Sequence, residues 1–493
     1  MADGRTGADP VPALPPDRAA LVYTWPPHGA FDGPAWRTTP DGAWRTRRMP
    51  ETPAELAADS RWPALFPSAL SIVTASDGET AAIEKVVGAS IVNRFPYTLA
   101  LSFCRTALSE RHYQRGEFMR VVERSGHVAV QFLFPGPGLD RAMAAISSVP
   151  ESDMAGRLAA AADQYHPALR SAAPVVDGAY LIYEGRFVEP GLDFDGVRVN
   201  EAPWVDCGSH RIYLFEIETI SLAAEVARGE RPIQWRSLPV WVPPAARPAA
   251  SRPGPGQTAE ARRVNRSAHL AGVGYQKTYR PDYVFPSAST IAFAGAISGS
   301  YAVLDVPPLP PGQSEVDNDQ ARWPCYFPSS LGMITTRAPD GTLAAFPCGS
   351  TAIVARSPLT FAICVSYGRI NARYAPRASL DLLRQAGRFG CGMPNYDPAV
   401  LEAIAYLGNV SLRDDPDKVE NCGLTLIERG AGFGFVELPV HFDCRIVEEV
   451  RLGTHSMFLG EVEAIFADAR LDAANPVTWC PWAGSLPPAP ASA

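Results

Sequence analysis

Apolar and polar residues alternate along two stretches of the chain in the same order. Ser71-Ile72-Val73-Thr74 leads to Asp77-Gly78, and Gly332-Met333-Ile334-Thr335 leads to Asp340-Gly341. Asp-Gly between apolar runs predicts a tight hairpin, because glycine supplies the positive φ such turns need. Further on, Phe95–Ser102 matches Ser357–Cys364, and both alternate as half-buried strands. The apolar spacing then changes, to three and four at Phe118/Val121/Val122 and to two and three at Leu380/Leu382/Leu383. That predicts one short helix per stretch, stopped by Gly126 and Gly387. Each stretch closes on Gly-x-His, as Gly208-Ser209-His210 and Gly453-Thr454-His455. A strand follows each, Arg211–Ile220 and Ser456–Phe466.

The sequence itself repeats. Arg61-Trp62-Pro63-Ala64-Leu65-Phe66-Pro67-Ser68 returns as Arg322-Trp323-Pro324-Cys325-Tyr326-Phe327-Pro328-Ser329. So long a period means two domains of one fold rather than a solenoid. The expected units are an arm at 1–60, a first domain at 61–242, a Pro/Ala/Gly-rich linker at 243–263, a second arm at 264–321, a second domain at 322–482 and a Pro/Ala-rich disordered tail at 483–493. The first domain carries an insertion, Leu139–Ala173, that reads as helical.

Composition narrows the function. With 44 basic and 52 acidic residues the net charge is −8, which disfavours generic nucleic-acid binding. No apolar run approaches the ~20 residues of a membrane span, and Met1–Pro16 lacks the features of a secretory signal. The 9 cysteines form no C-x-x-C pair, so buried or free thiols in a reducing cytoplasm are expected. Only Lys85, Lys277 and Lys418 are lysines; the arginine, alanine and proline bias suggests a GC-rich, bacterial genome.

The order of elements, and above all Gly453-Thr454-His455-Ser456-Met457-Phe458-Leu459-Gly460-Glu461-Val462, resembles the flavin reductase-like family, the FMN-binding split β-barrel. The resemblance covers most of residues 322–470. It implies a mainly β fold with short helices, as two tandem split β-barrels forming a pseudo-dimer within one chain. It implies FMN, ahead of FAD, in a groove between the barrels, with NAD(P)H as electron donor. The partners implied are a small-molecule substrate and a flavin-dependent monooxygenase. The first copy departs at its end, where Leu214-Phe215-Glu216-Ile217-Glu218 stands against Leu459-Gly460-Glu461-Val462-Glu463; Phe215 adds bulk where, by the resemblance, Gly460 lets a backbone approach the ligand closely. The expectation is that flavin occupies the groove dominated by the second copy.

Three groups of residues carry that chemistry. Arg369, Arg373 and Arg377 form a basic loop before a helix that begins near Ser379, with Ser366 at the loop's start. A helix N-terminus and arginine forks suit a phosphate; a solvated charged loop is the simpler alternative. Phe346–Thr351 is the stretch that lines the flavin ring in the family, which makes Ser350 and Thr351 hydrogen-bond donors to it. Cys348 belongs to the same stretch, though burial is the commoner role for such a thiol. His455 and His210 stand at equivalent positions as catalytic candidates near the flavin, with a structural hydrogen-bonding role as the alternative. No dinucleotide fingerprint, Walker loop or metal signature is present. His441, Asp443 and Cys444 are set aside as metal ligands because adjacent strand residues face opposite ways. Rival readings are a flavin-free enzyme on this barrel and a non-catalytic ligand-binding or scaffold protein.

Overall fold

A computed structural model describes residues 44–48, 71–223, 301–305 and 330–468, apart from positions 87, 95, 110–111, 134–136, 193–195, 368–376, 395–397, 414 and 439. The repeated Arg-Trp-Pro segments, the linker, the tail and most of both arms lie outside the described residues.

Two barrels account for nearly all of the described chain. After an arm strand β1 (Trp44–Arg48), the first barrel uses β2 (Ser71–Ser76), β3 (Ala81–Val86), β4 (Gly88–Arg94), β5 (Tyr97–Cys104), α1 (Glu117–Ser125), β6 (His127–Leu133), α2 (Pro137–Ser148), α3 (Met154–Ala161), β7 (Ala179–Phe187) and β8 (His210–Ala223). Its sheet runs β3-β2-β6-β7-β8-β5-β4. Since β3 and β4 are consecutive halves of one bent strand, the sheet closes on itself. A second arm strand, β9 (Tyr301–Asp305), precedes the second barrel. That barrel uses β10 (Ser330–Arg337), β11 (Leu343–Arg356), β12 (Leu359–Ser366), α4 (Ala378–Ala386), β13 (Arg388–Met393), α5 (Pro398–Asn409), α6 (Lys418–Asn421), β14 (Val440–Leu452) and β15 (His455–Asp468). Its ring β12-β11-β10-β13-β14-β15 closes through the β12–β15 pair. Closure limits the free strand edges that an open sheet would present.

The local signals are met. Gly78 and Gly341 turn at φ 94° and 89°. Asp77 accepts the amides of Glu79 and Thr80, and Asp340 that of Thr342. Helices α1 and α4 end at Gly126 and Gly387 in the left-handed conformation, with φ 67° and 62°. One expectation changes. Helix α2 of the supposed insertion has a counterpart in α5 and α3 has one in α6, with 30 residues between α2 and β7 matched by 30 between α5 and β14, so the stretch is no insertion and the extra residues of the first copy lie between β7 and β8. The two helices bury matched positions, Leu139/Val400, Ala142/Ala403, Ala145/Tyr406 and Ile146/Leu407, with side chains sized to each barrel wall.

The arms are exchanged. Strand β1, which precedes the first barrel, pairs with β15 of the second, from Trp44↔Asp468 to Arg48↔Ala464. Strand β9, which precedes the second barrel, pairs with β8 of the first, from Tyr301↔Ala223 to Asp305↔Thr219. The two registers are equivalent, measured from His455 and His210. Between the barrels lies a shared apolar layer that includes Val92, Ala100, Ile212 and Leu214 from one and Ala352, Val354, Met457 and Leu459 from the other. Burial of such aliphatic surface is what holds a pseudo-dimer together.

The glycine that distinguishes the second copy has a packing cause. A Cβ on Gly460 would meet the ring of Phe389 and, at 2.9 Å, the Cβ of Cys444. In the first barrel Phe215 stands at the equivalent position, stacked on Phe187, and Val128 stands where Phe389 does. The bulk has moved from one strand to another at constant core filling. Gly460 therefore makes room for a core ring, and the expectation that it lets backbone approach a ligand is corrected. Gly460→Ala should cost about 1–3 kcal/mol by overpacking. Adding Phe389→Val should recover most of that in urea unfolding; additive losses would refute the exchange.

Candidate functional site

The candidate residues converge on three adjoining strands and one helix end of the second barrel. β11 bulges between Cys348 and Thr351, since Gly332 pairs with Cys348 but Ser330 pairs with Thr351. Bulges re-aim side chains and recur beside active sites. Gly349 is exposed, with open space where a Cβ would stand, and Ser350 is half-buried. Thr351 turns inward and is 2 % exposed, its methyl beside Gly332, so the two hydroxyls do not share a face. The Cys348 thiol also points into the core and donates to the carbonyls of Ser350 and Cys364, at 3.6 and 3.4 Å. Burial raises its pKa, which keeps it a thiol. On the next strands Ser366 pairs with His455.

Arg377 is exposed and occupies the N-cap of α4 with extended backbone and no side-chain cap. Ser379 lies in the first turn, half-buried. Arg369 and Arg373 lie outside the described residues. A second cation stands near Arg377. Lys418 is buried and donates to the carbonyls of Leu407 and Val410, at 3.0 and 2.9 Å. Burial first, and Arg377 second, push its pKa down to about 7.

The first barrel presents the same elements closed. The N-terminus of α1 is filled by a carboxylate: Glu151, from the connection between α2 and α3, accepts the Phe118 amide at 2.8 Å. Gly116 permits this, because a Cβ there would overlap the Glu151 carboxylate; the second copy has Arg377 instead. At the other end of the groove Gly88, the counterpart of Gly349, lies against the opposite barrel. A Cβ on Gly88 would come within 2.8 Å of the Ile353 carbonyl oxygen. Neither Glu151 nor the closure at Gly88 was signalled by the sequence, because both are contacts between distant segments.

The two Gly-x-His turns sit at the barrel interface. Gly208 has φ 49°, and its open side is covered by Ser357 and Pro358 of the other barrel. The Ser209 amide donates to the Ser357 carbonyl at 2.8 Å. In the pseudo-symmetric contact the Thr454 amide donates to Asn93 Oδ1 at 2.8 Å. Each x residue also touches its own histidine: Ser209 Oγ lies 2.8 Å from His210 Nδ1 and Thr454 Oγ1 lies 2.7 Å from His455 Nδ1. Burial, then Arg356 and Arg105, depress His210 to about 3, so it is neutral at ordinary pH. The folded ring binds its proton only below about 3, whereas the unfolded ring binds it below its ordinary 6.5. Between these values the unfolded chain holds more protons, so stability falls as pH drops through that window, by at most ~1.4 kcal/mol per unit from this group. His210→Gln should flatten the acid limb of a stability–pH curve; an unchanged slope would mean that His210 is protonated when folded.

Two closed six-stranded barrels, sharing an apolar interface and bordered by this site, define a doubled split β-barrel. Residues 325–482 match the flavin reductase like domain. The second barrel is thus a flavin reductase-like domain, and the first repeats its topology. Among solved structures, the chain is similar to the flavoredoxin of Desulfovibrio vulgaris (Miyazaki F), with 19% identity, 30% of this chain and 74% of that one covered, and a TM-score of 0.26. It is similar also to an FMN-binding protein from Thermus thermophilus solved with bound 1-cyclohex-2-enone, with 19% identity, 30% and 75% covered, and a TM-score of 0.25. An uncharacterized protein of Aeropyrum pernix is 29% identical over 93 residues, 18% of this chain, and the match spans 34% of that protein. No helix among the described residues is long and apolar enough to cross a membrane.

Proposed function

We propose that the chain is an FMN-dependent oxidoreductase with one working groove, formed around the second barrel. The observation that carries this reading is the coincidence of the family match, residues 325–482, with the copy whose groove is open at Gly349 and at the N-terminus of α4. The residues present suit the group. Arg377 and the N-terminus of α4 offer a phosphate a guanidinium fork and the positive end of a helix. The backbone at Gly349 and Ser350 offers hydrogen bonds to an aromatic edge, and His455 supplies an imidazole two strands away. Bound flavin supplies the hydride chemistry, and the chain supplies position and electrostatics. NAD(P)H is the proposed donor, and a small organic molecule or a monooxygenase partner the proposed recipient, in the cytoplasm of a bacterium.

The test is an absorbance spectrum of the purified chain before and after titration with FMN. A perturbed flavin spectrum with saturable binding is expected. Protein that stays colourless and takes up no FMN would favour a flavin-free role for the barrels.

A further inference from the structure

The two equivalent histidines are held in opposite tautomers. A hydroxyl carries one proton and accepts through two lone pairs, and the bond a histidine nitrogen makes decides where the ring proton sits. Thr454 Oγ1 lies 2.8 Å from Asn93 Oδ1. That amide oxygen can only accept, and the Asn93 Nδ2 group donates to the Pro96 carbonyl at 2.9 Å, which fixes the orientation of the amide. The Thr454 proton is therefore committed to Asn93. Thr454 Oγ1 can meet His455 Nδ1, at 2.7 Å, only by accepting from it. His455 is thus protonated at Nδ1, and its Nε2 carries the lone pair.

Ser209 has the reverse arrangement. Its Oγ accepts the amides of Arg356 and Ser357, at 3.3 and 3.1 Å. Both lone pairs are engaged, so its proton goes to His210 Nδ1, at 2.8 Å. His210 is thus protonated at Nε2. The difference arises across the barrel interface. The C-terminal end of β4 in the first barrel offers a side-chain acceptor, Asn93, whereas the end of β11 and the turn after it in the second offer backbone donors, Arg356 and Ser357.

We propose that Asn93 of the first barrel is a positioning residue for the second: through Thr454 it fixes His455 with Nε2 as a proton acceptor, while His210 is fixed as an Nε2–H donor. The barrels are therefore chemically unequal at matched positions, and each depends on the other for its histidine's state. This placement stands on the hydrogen bonds alone; only its use in catalysis rests on the flavin reading above.

The experiment is nitrogen NMR on the full chain labelled with ¹⁵N-histidine at pH 8, with peaks assigned by His455→Gln and His210→Gln. For neutral rings the protonated and lone-pair nitrogens differ widely in shift. The wild type should show Nδ1–H at His455 and Nε2–H at His210. In Asn93→Ala the Thr454 proton is released to Nδ1, so the His455 pattern should invert while His210 stays unchanged, which also reports that the fold survives. Asn93→Asp keeps an acceptor and should keep the wild-type pattern. A wild-type His455 protonated at Nε2, or an unaltered pattern in Asn93→Ala, would overturn the proposal. Either NMR result is independent of whether FMN binds, so failure of the flavin titration leaves it intact.

Discussion

Saturating the chain with FMN is expected to load one flavin per chain, and Arg377→Ala should weaken its binding by about 1–3 kcal/mol, the scale of a charge-assisted hydrogen bond. Two helices of the same origin face the two grooves. α1 has its N-terminal amides engaged by Glu151, with Phe118 N at 2.8 Å, so an incoming phosphate would meet a carboxylate already in place. The approach at Gly88 removes the space that Gly349 leaves open. α4 has an exposed arginine at its cap and, among the described residues, no side chain capping it. Equilibrium dialysis or calorimetry on the full chain gives both the stoichiometry and the affinity. Two equivalent flavins per chain would show that Glu151 yields to phosphate. Unaltered affinity in Arg377→Ala would make that residue part of a solvated surface only.

His455→Ala should slow flavin reduction by about 100-fold, the order of a lost acid–base or charge-stabilising contact, whereas His210→Ala should leave the rate near wild type. Three features separate them. His455 pairs with Ser366 beside the open groove, His210 is neutral and depressed to about 3, and the interface bonds leave the lone pair of His455 on Nε2. The Gly460 difference, read from sequence as ligand access, does not enter, since Phe389 fills that space. Stopped-flow reduction by NADH or NADPH on both variants, with circular dichroism as the folding control, makes the comparison. Equal losses, or a larger one for His210→Ala, would place the working groove in the other copy.

Period-two alternation, Asp-Gly turns, glycine helix stops and the Gly-x-His ends were legible in the sequence because each reports a constraint local to a few residues. The duplication itself was legible as repetition. These fixed a mainly β chain of two like domains and pointed to the half that matches the flavin reductase like domain. Which groove is open was not legible. It depends on Glu151 reaching the end of α1 from 33 residues away in sequence and on Gly88 meeting Ile353 across the interface. Gly460 misled for the same reason: its meaning lay in Phe389, on another strand. The exchange of β1 and β9 and the opposite tautomers of His210 and His455 are likewise set by pairing between barrels. The sequence by itself determined the elements and their order, because propensity and periodicity act along the chain. Only the tertiary structure decided which copy is equipped for chemistry, because hydrogen bonds and close packing act between residues that folding alone brings together.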